Sequence, residues 1–155
     1  MIDTTIEIRE YKPEYQIWFE NFNREWIEKY FEMEPLDFEI LQNPHEHIIK
    51  KGGSIFIAFY EKRPAGTVAL KFVSPSVYEL TKMAVNENFK GKKIGNALAE
   101  AAIAKGKMHG AKKIILYSNT ILTPAISLYK KIGFTEIPVD GPYKRTNIKM
   151  ELILT

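Results

Sequence analysis

The sequence predicts a mixed α+β fold, a central sheet of about seven strands with helices on both faces. Two observations carry this. Short runs rich in β-branched and aromatic residues alternate with longer stretches in which apolar residues recur every three or four positions, and three of the strand-like runs follow one another with no helix between them. A third observation sets the scale. A chain of 155 residues with 45% hydrophobic content can bury a substantial core but is too short for two ordinary domains, so one domain over residues 1–155 is expected.

Thr4 to Tyr11 alternates, with Ile6 and Ile8 on one face, and reads as the first strand. Pro13 favours a helix start, after which Tyr15, Phe19, Phe22, Trp26 and Tyr30 recur at helical spacing while Glu20, Arg24, Glu28 and Lys29 fall elsewhere. That aromatic stripe reads first as core, with the wall of a pocket as the other reading. Pro35 and Asp37 open a short helical piece through Leu41, and Asn43-Pro44 caps another that ends at Gly52-Gly53. Ser54 to Tyr60 and Gly66 to Phe72 form a hairpin across the connector Glu61 to Ala65. Ser74-Pro75-Ser76 then turns the chain into Val77 to Val85, completing a three-stranded meander. A helix from about Lys92 to Met108 stops at Gly110, and Lys113 to Tyr117 is a buried-strand run. Pro124 opens a further helix with Ala125, Leu128, Tyr129 and Ile132 on its apolar face and Gly133 at its end. Phe134 to Ile137 and Thr146 to Leu154 are the last strands, separated by a loop with Pro138, Gly141 and Pro142.

Composition excludes several classes. A net charge of only +3 does not call for nucleic acid, and the absence of cysteine removes disulfides, thiolate metal sites and a cysteine nucleophile. The start of the chain is charged and alternating where a signal peptide would be apolar, and no run of roughly 18 apolar residues exists. A cytoplasmic protein without a membrane role is expected. His45-Glu46-His47 invites a metal reading, but histidines two apart on a helix point in different directions and no further His or Cys lies nearby, so no metal is expected.

The chemistry gathers between Tyr78 and Met108. Lys90-Gly91-Lys92-Lys93-Ile94-Gly95 places lysines and glycines where a strand becomes a helix. The first N–H groups of such a helix are unpaired at the positive end of its dipole, which suits a phosphate or pyrophosphate. Glycine lets the backbone come close to a ligand there. On the strand before the turn, Glu79 is an acid that the local pattern does not require.

The strand Glu79 to Val85, the basic turn, and the later Ala125-x-x-Leu128-Tyr129-x-x-x-Gly133-Phe134 together resemble the GCN5-related N-acetyltransferase (GNAT) superfamily. The resemblance spans essentially the whole chain. In Tyr78 to Val85, and in Ser118-Asn119-Thr120 leading to Leu128-Tyr129, it is similar to small bacterial members related to MarR-linked acetyltransferases, with no DNA-binding domain in this sequence. It implies a mainly antiparallel sheet and acetyl-CoA as the cosubstrate, leaving CoA as product. It also implies roles for residues of this chain. The family's turn pattern, Gln/Arg-x-x-Gly-x-Gly/Ala, falls on Lys90 to Gly95, with Lys93 in place of the glycine at its fourth position. The pyrophosphate would be held by Lys90, Gly91, Lys92, Lys93, Ile94, Gly95 and Asn96. Met83, Ala84 and Val85 would pair with the pantetheine arm, and the Met83 N–H would stabilise the developing oxyanion. Glu79, six residues before Val85, matches the general base of several members, and Tyr129 the tyrosine that protonates the departing thiolate. Asn119 would serve the pantetheine amide or cap its own turn.

The acceptor pocket implied by the family falls on Trp26, Tyr30, Phe31, Glu79, Tyr143 and Arg145. Aromatics and carboxylates suit the primary amine of a small molecule, amino acid or peptide, while Arg145 would suit an acceptor bearing its own carboxylate. A non-catalytic acyl-CoA sensor or interaction domain is the alternative. Nucleic-acid binding through Lys90, Lys92, Lys93, Lys105, Lys107, Lys112 and Lys113 is a weaker one, and a homodimer is left open.

Overall fold

A computed structural model describes residues 5–154. Thr4, where the sequence predicts the first strand to begin, lies outside the described residues. Strand β1 is Ile6–Glu10, followed after a short 3-10 turn by helix α1, Gln16–Tyr30, and helix α2, Pro35–Gln42. Strands β2 (Ser54–Tyr60), β3 (Arg63–Ser74) and β4 (Val77–Val85) lead to helix α3, Ile94–Met108. Strand β5 (Lys113–Ser118), helix α4 (Thr123–Ile132), β6 (Thr135–Ile137) and β7 (Ile148–Ile153) complete the chain.

The seven strands form one sheet in the order β1-β2-β3-β4-β5-β7-β6. Every neighbouring pair is antiparallel except β4 and β5, whose crossover is helix α3. Strand alternation sorts the sheet's side chains into two cores. Phe56, Ala58, Val68, Leu70, Tyr78 and Leu80 pack beneath α3 and α4 with Ile94, Leu98 and Ile126. Ile55, Ile57, Phe59 and Ala69 face the other way onto Phe19, Ile40 and Leu41 of α1 and α2. Fully buried side chains of this size contribute about 1.5–3 kcal/mol each relative to exposure.

Two local predictions are corrected. The hairpin between β2 and β3 closes on Glu61 and Lys62 alone, both at positive φ (48° and 68°), and Arg63 to Ala65 belong to β3. That is the backbone of a type I′ turn, which Asn-Gly announces and Glu-Lys does not. Pro64 is tolerated because it pairs at a bulge, where the register shifts between Ala58 and Phe59. The brief helix after Asn43 is a single π-helical turn, His45–Ile49.

Two irregularities of β4 make room for a site. Its parallel pairing with β5 covers only Val77 with Lys113, Tyr78 with Ile114 and Glu79 with Ile115. Beyond Glu79 each strand follows a different neighbour, β4 with β3 as far as Val85 and β5 with β7 as far as Ser118. The sheet therefore opens as a wedge. In addition, Thr67 pairs with Ala84 but Ala69 with Thr81, so Lys82 and Met83 stand against Val68 alone. This bulge reverses the alternation. Tyr78 and Leu80 face the α3 core before it, whereas Met83 and Val85 do so after it.

Candidate active site

A cavity of about 850 Å³ occupies the wedge and extends to both ends of it. At one end are the turn before α3 and the start of α4. Gly91 has φ +80° and open space where a Cβ would stand, and Lys93, just before the helix, is also left-handed at φ 63° and ψ 22°. The glycine expected at the fourth position of the turn is thus replaced by a lysine that keeps the glycine conformation, at a cost of about 1 kcal/mol. A Cβ added at Gly95 would meet Leu128 at 3.5 Å, an ordinary contact, so the α3 start packs directly on α4. Lys90, Gly91, Lys93, Ile94, Gly95 and Asn96 line the cavity. Lys92 does not: its ammonium is turned away, 5.1 Å from the centre of the Tyr60 ring.

Met83, Ala84 and Val85 line the middle of the cavity, on the β4 edge that β5 no longer pairs. Tyr129 closes it from α4, buried to 7% exposure and edge-on to Phe134 at 5.8 Å. Burial pushes its phenol well above the ordinary range, so the hydroxyl is a neutral donor. Asn119 also lines the cavity, but its amide is occupied. Its Nδ2 donates to the Arg145 carbonyl at 2.7 Å and its Oδ1 accepts the Ile121 N–H at 3.0 Å. Of the two roles weighed for Asn119, the structure therefore displays the turn cap.

The throat of the wedge is Glu79, 9% exposed, on the last residue pair that β4 shares with β5. Burial raises its carboxyl, while Lys71, Lys82 and Lys149 and a hydrogen bond with Thr81 act in the opposite sense without cancelling that rise. Beyond it, Trp26, Tyr30, Phe31, Tyr143 and Arg145 line the far end. The aromatic stripe of α1 is thus divided. Tyr15, Phe19 and Phe22 are core, whereas Trp26 and Tyr30 are wall.

This end holds a cluster in which the sequence reading names Tyr143 and Arg145 as site residues but not Glu34, Asp37 or Lys82. Asp37 is fully buried and accepts Lys82 Nζ at 2.6 Å, Arg145 Nη1 at 2.6 Å, Arg145 Nη2 at 2.7 Å and the Glu34 N–H. Lys82 also donates to the Tyr143 hydroxyl at 3.0 Å, and Arg145 Nη1 reaches Glu34 at 3.4 Å. Burial would raise the Asp37 carboxyl, but hydrogen bonds from Arg145 and the charge of Lys82 outweigh it and hold the group below the usual carboxylate range. Burial depresses the Lys82 ammonium against the pull of Asp37. No buried side-chain nitrogen or oxygen among the described residues lacks a hydrogen-bond partner. Arg145, one of whose possible uses is an acceptor carboxylate, has both Nη atoms engaged by Asp37. Asp37 was hidden from the sequence reading because Glu34-Pro-Leu-Asp37 also forms the capping box of α2. The available signal for Lys82 was a lysine in the middle of a largely apolar strand.

Among the described residues, no group of three or more His, Cys, Asp or Glu side chains stands where it could hold a metal ion, and no helix is long and apolar enough to cross a membrane. The cavity instead joins a helix-start cradle, an unpaired strand edge and a buried acid. A model of the acetyltransferase (GNAT) family matches residues 12–134. The chain belongs to this family. Members of the GNAT family take their acetyl group from acetyl-CoA. Mycothiol acetyltransferase of Corynebacterium glutamicum (strain R) is 34% identical over 62 residues, 40% of this chain and 21% of that protein, so the chain spans only about a fifth of that relative's length. Over nearly its whole length this GNAT chain shares its fold with an acetyltransferase of the GNAT family from Staphylococcus aureus Mu50. The TM-score is 0.88 at 22% identity, with 97% of this chain and 99% of that one covered. It shares it also with the PaiA N-acetyltransferase of Thermoplasma acidophilum in complex with coenzyme A, with a TM-score of 0.76 at 22% identity and 97% and 100% coverage.

Proposed function

We propose that this chain is one N-acetyltransferase domain that transfers an acetyl group from acetyl-CoA directly to a primary amine of a small molecule, amino acid or peptide, and that it works in the cytoplasm. The observation that carries the reading is the wedge between β4 and β5, which puts a buried carboxylate between a phosphate-suited helix start and an aromatic-lined end. The residues suit the cosubstrate. The backbone of the turn at Lys90 to Asn96 and the start of α3 would hold the pyrophosphate, and the free edge of β4 at Met83 to Val85 the pantetheine. Bound there, acetyl-CoA supplies an acetyl group activated as a thioester.

The chain's own residues then move protons. An alkylammonium is mostly protonated at neutral pH, and Glu79, raised by burial, is a suitable base for removing that proton. The freed amine forms the new C–N bond as the C–S bond breaks, and the second proton that its nitrogen must shed to become an amide restores the one that Tyr129 gives to sulfur. The Met83 N–H would donate to the carbonyl oxygen as charge develops on it, and the Tyr129 hydroxyl would return a proton to the leaving sulfur. Trp26, Tyr30 and Phe31 would seat the acceptor. With Lys82 and Arg145 both held by Asp37, the wall favours an amine without a neighbouring carboxylate.

The test follows free thiol while the protein meets acetyl-CoA and a panel of amines, amino acids and peptides. Turnover is expected with at least one primary amine. Tyr129→Phe should lower kcat by about 10²-fold with little change in KM for acetyl-CoA. Silence across the panel in a protein that still binds CoA would replace this reading with that of an acyl-CoA sensor.

A further inference from the structure

Lys82 sits at φ +52°, a left-handed conformation that costs a non-glycine residue about 1 kcal/mol or more, in the bulge of β4. Glycine would fit there without strain, so the lysine side chain must repay its place. Its ammonium does so by linking three elements around the acceptor end of the cavity. It is held at 2.6 Å by Asp37 of α2, donates at 3.0 Å to Tyr143 of the loop before β7, and lies 4.5 Å from the centre of the Tyr143 ring. The same Asp37 takes both arms of Arg145, which belongs to that same loop. Arg145 is met by Glu34 as well, at 3.4 Å, so the cluster holds two cations and two carboxylates, and Lys82 lines the same cavity as Glu79. Three residues away on the same strand stands Glu79.

We propose that Lys82 is a positioning residue for acetyl transfer: anchored by Asp37 and Tyr143, it fixes the β4 bulge and presents its positive charge to Glu79, keeping that carboxylate available as a base. The proposal rests on Glu79 being the base of the preceding section. The groups that act on Glu79 are Lys71, its cross-strand partner on β3 and the largest opposing charge, Lys82 and Thr81 from β4, Lys149 from β7, and the neutral Tyr143 hydroxyl of the loop before β7, so Lys82 adds to an effect that Lys71 begins. Lys149 is already bound to Asp140 at 2.9 Å, which divides its influence. Lys82 in turn contacts Asp37 and Tyr143 and lies within the electrostatic reach of Arg145 and Glu79. Burial alone would leave Glu79 protonated into a higher pH range. The fixed ammonium limits that rise, and a merely structural lysine would have no such effect.

The experiment reads Glu79 directly and needs no knowledge of the acceptor. Carbon-detected NMR of protein labelled at the glutamate carboxyls, with CoA bound and the Glu79 signal assigned by its loss in Glu79→Gln, follows the titration midpoint. Lys82→Met and Lys82→Gln should both move it to higher pH, and Lys82→Arg should leave it near the wild-type position. On any amine that the wild type acetylates, the acid limb of the kcat/KM profile should move the same way. In Lys82→Met, kcat at neutral pH should fall by about tenfold or more while CoA affinity stays within about twofold. Should Lys82→Met not fold, Lys82→Gln, which can still bond Asp37, carries the measurement. An unmoved Glu79 midpoint in a folded neutral variant, or an equal shift in Lys82→Arg, overturns the proposal. A wild-type acid limb that persists in Glu79→Gln instead removes Glu79 as the base and leaves the effect of Lys82 on its titration to be judged by the NMR midpoint alone.

Discussion

Glu79 is an acid placed where an acid is uncomfortable, and its cost should be measurable. A carboxyl whose folded value is raised binds its proton more tightly in the folded chain than in the unfolded one. Its contribution to stability is therefore fully present below the unfolded value near pH 4, and is lost as pH rises through the folded value. Glu79→Gln, which cannot ionise, should match the wild type in urea denaturation near pH 4 and be the more stable protein at pH 7 to 8. The same substitution should abolish most acetyl transfer, so a gain in stability with a loss of activity marks the residue as kept for chemistry. A variant less stable than the wild type at neutral pH would argue against a desolvated carboxylate. At this scale much was legible. Glu79 and Tyr129, both in the cavity wall, could be singled out beforehand, the first as an acid in a largely apolar strand and the second by the resemblance of Leu128-Tyr129-x-x-x-Gly133 to the GNAT motif. Lys82 was not, because its meaning lies in a φ of +52° and a partner 45 residues away.

At the scale of elements, β4 is the part on which the site depends, and the Asp37 cluster holds α2 and the loop before β7 against it. Removing Asp37 leaves Lys82 and Arg145 buried beside each other without their shared counterion. Asp37→Ala should therefore destabilise by about 3–5 kcal/mol, a fall of roughly 10 °C in Tm. The Asp37 carboxyl is held down in the folded chain, so what it contributes is present above the unfolded carboxylate range and is lost as pH falls through its folded value. The gap between wild type and variant should narrow in acid, as denaturation melts at several pH values would show. A loss of under about 1 kcal/mol at pH 7 would mean that the cluster is solvated like a surface pair. Elements were legible where periodicity speaks: β2, β4 and α3 stand close to where alternation and helical spacing put them. The β2–β3 turn was not, because the turn backbone was imposed on Glu61-Lys62 by strand pairing rather than by the residues' own preference.

At the scale of the molecule, the proposed cosubstrate would touch three separate parts of the chain, the β4 edge, the α3 start and α4. Binding should therefore stabilise the folded state as a whole. At about 100 times Kd, CoA should add about 2.7 kcal/mol, or roughly 5–10 °C in Tm by calorimetry. Tyr129→Phe should keep that shift while losing turnover, since its hydroxyl is proposed to act only on the leaving sulfur. No shift with CoA would sink the assignment of the wedge.

The sequence by itself determined the order of strands and helices, the basic turn at a helix start, and the residue types able to exchange protons. Each depends on the spacing of near neighbours and on the intrinsic chemistry of side chains. Only the tertiary structure decided that β5 returns parallel to β4 and parts from it after Glu79, that the bulge sends Lys82 to the α2 side, and that Arg145 is taken by Asp37. These follow from pairing between residues as much as 108 positions apart. Such contacts are selected by the burial of two sheet faces together, and no local pattern in the chain encodes them.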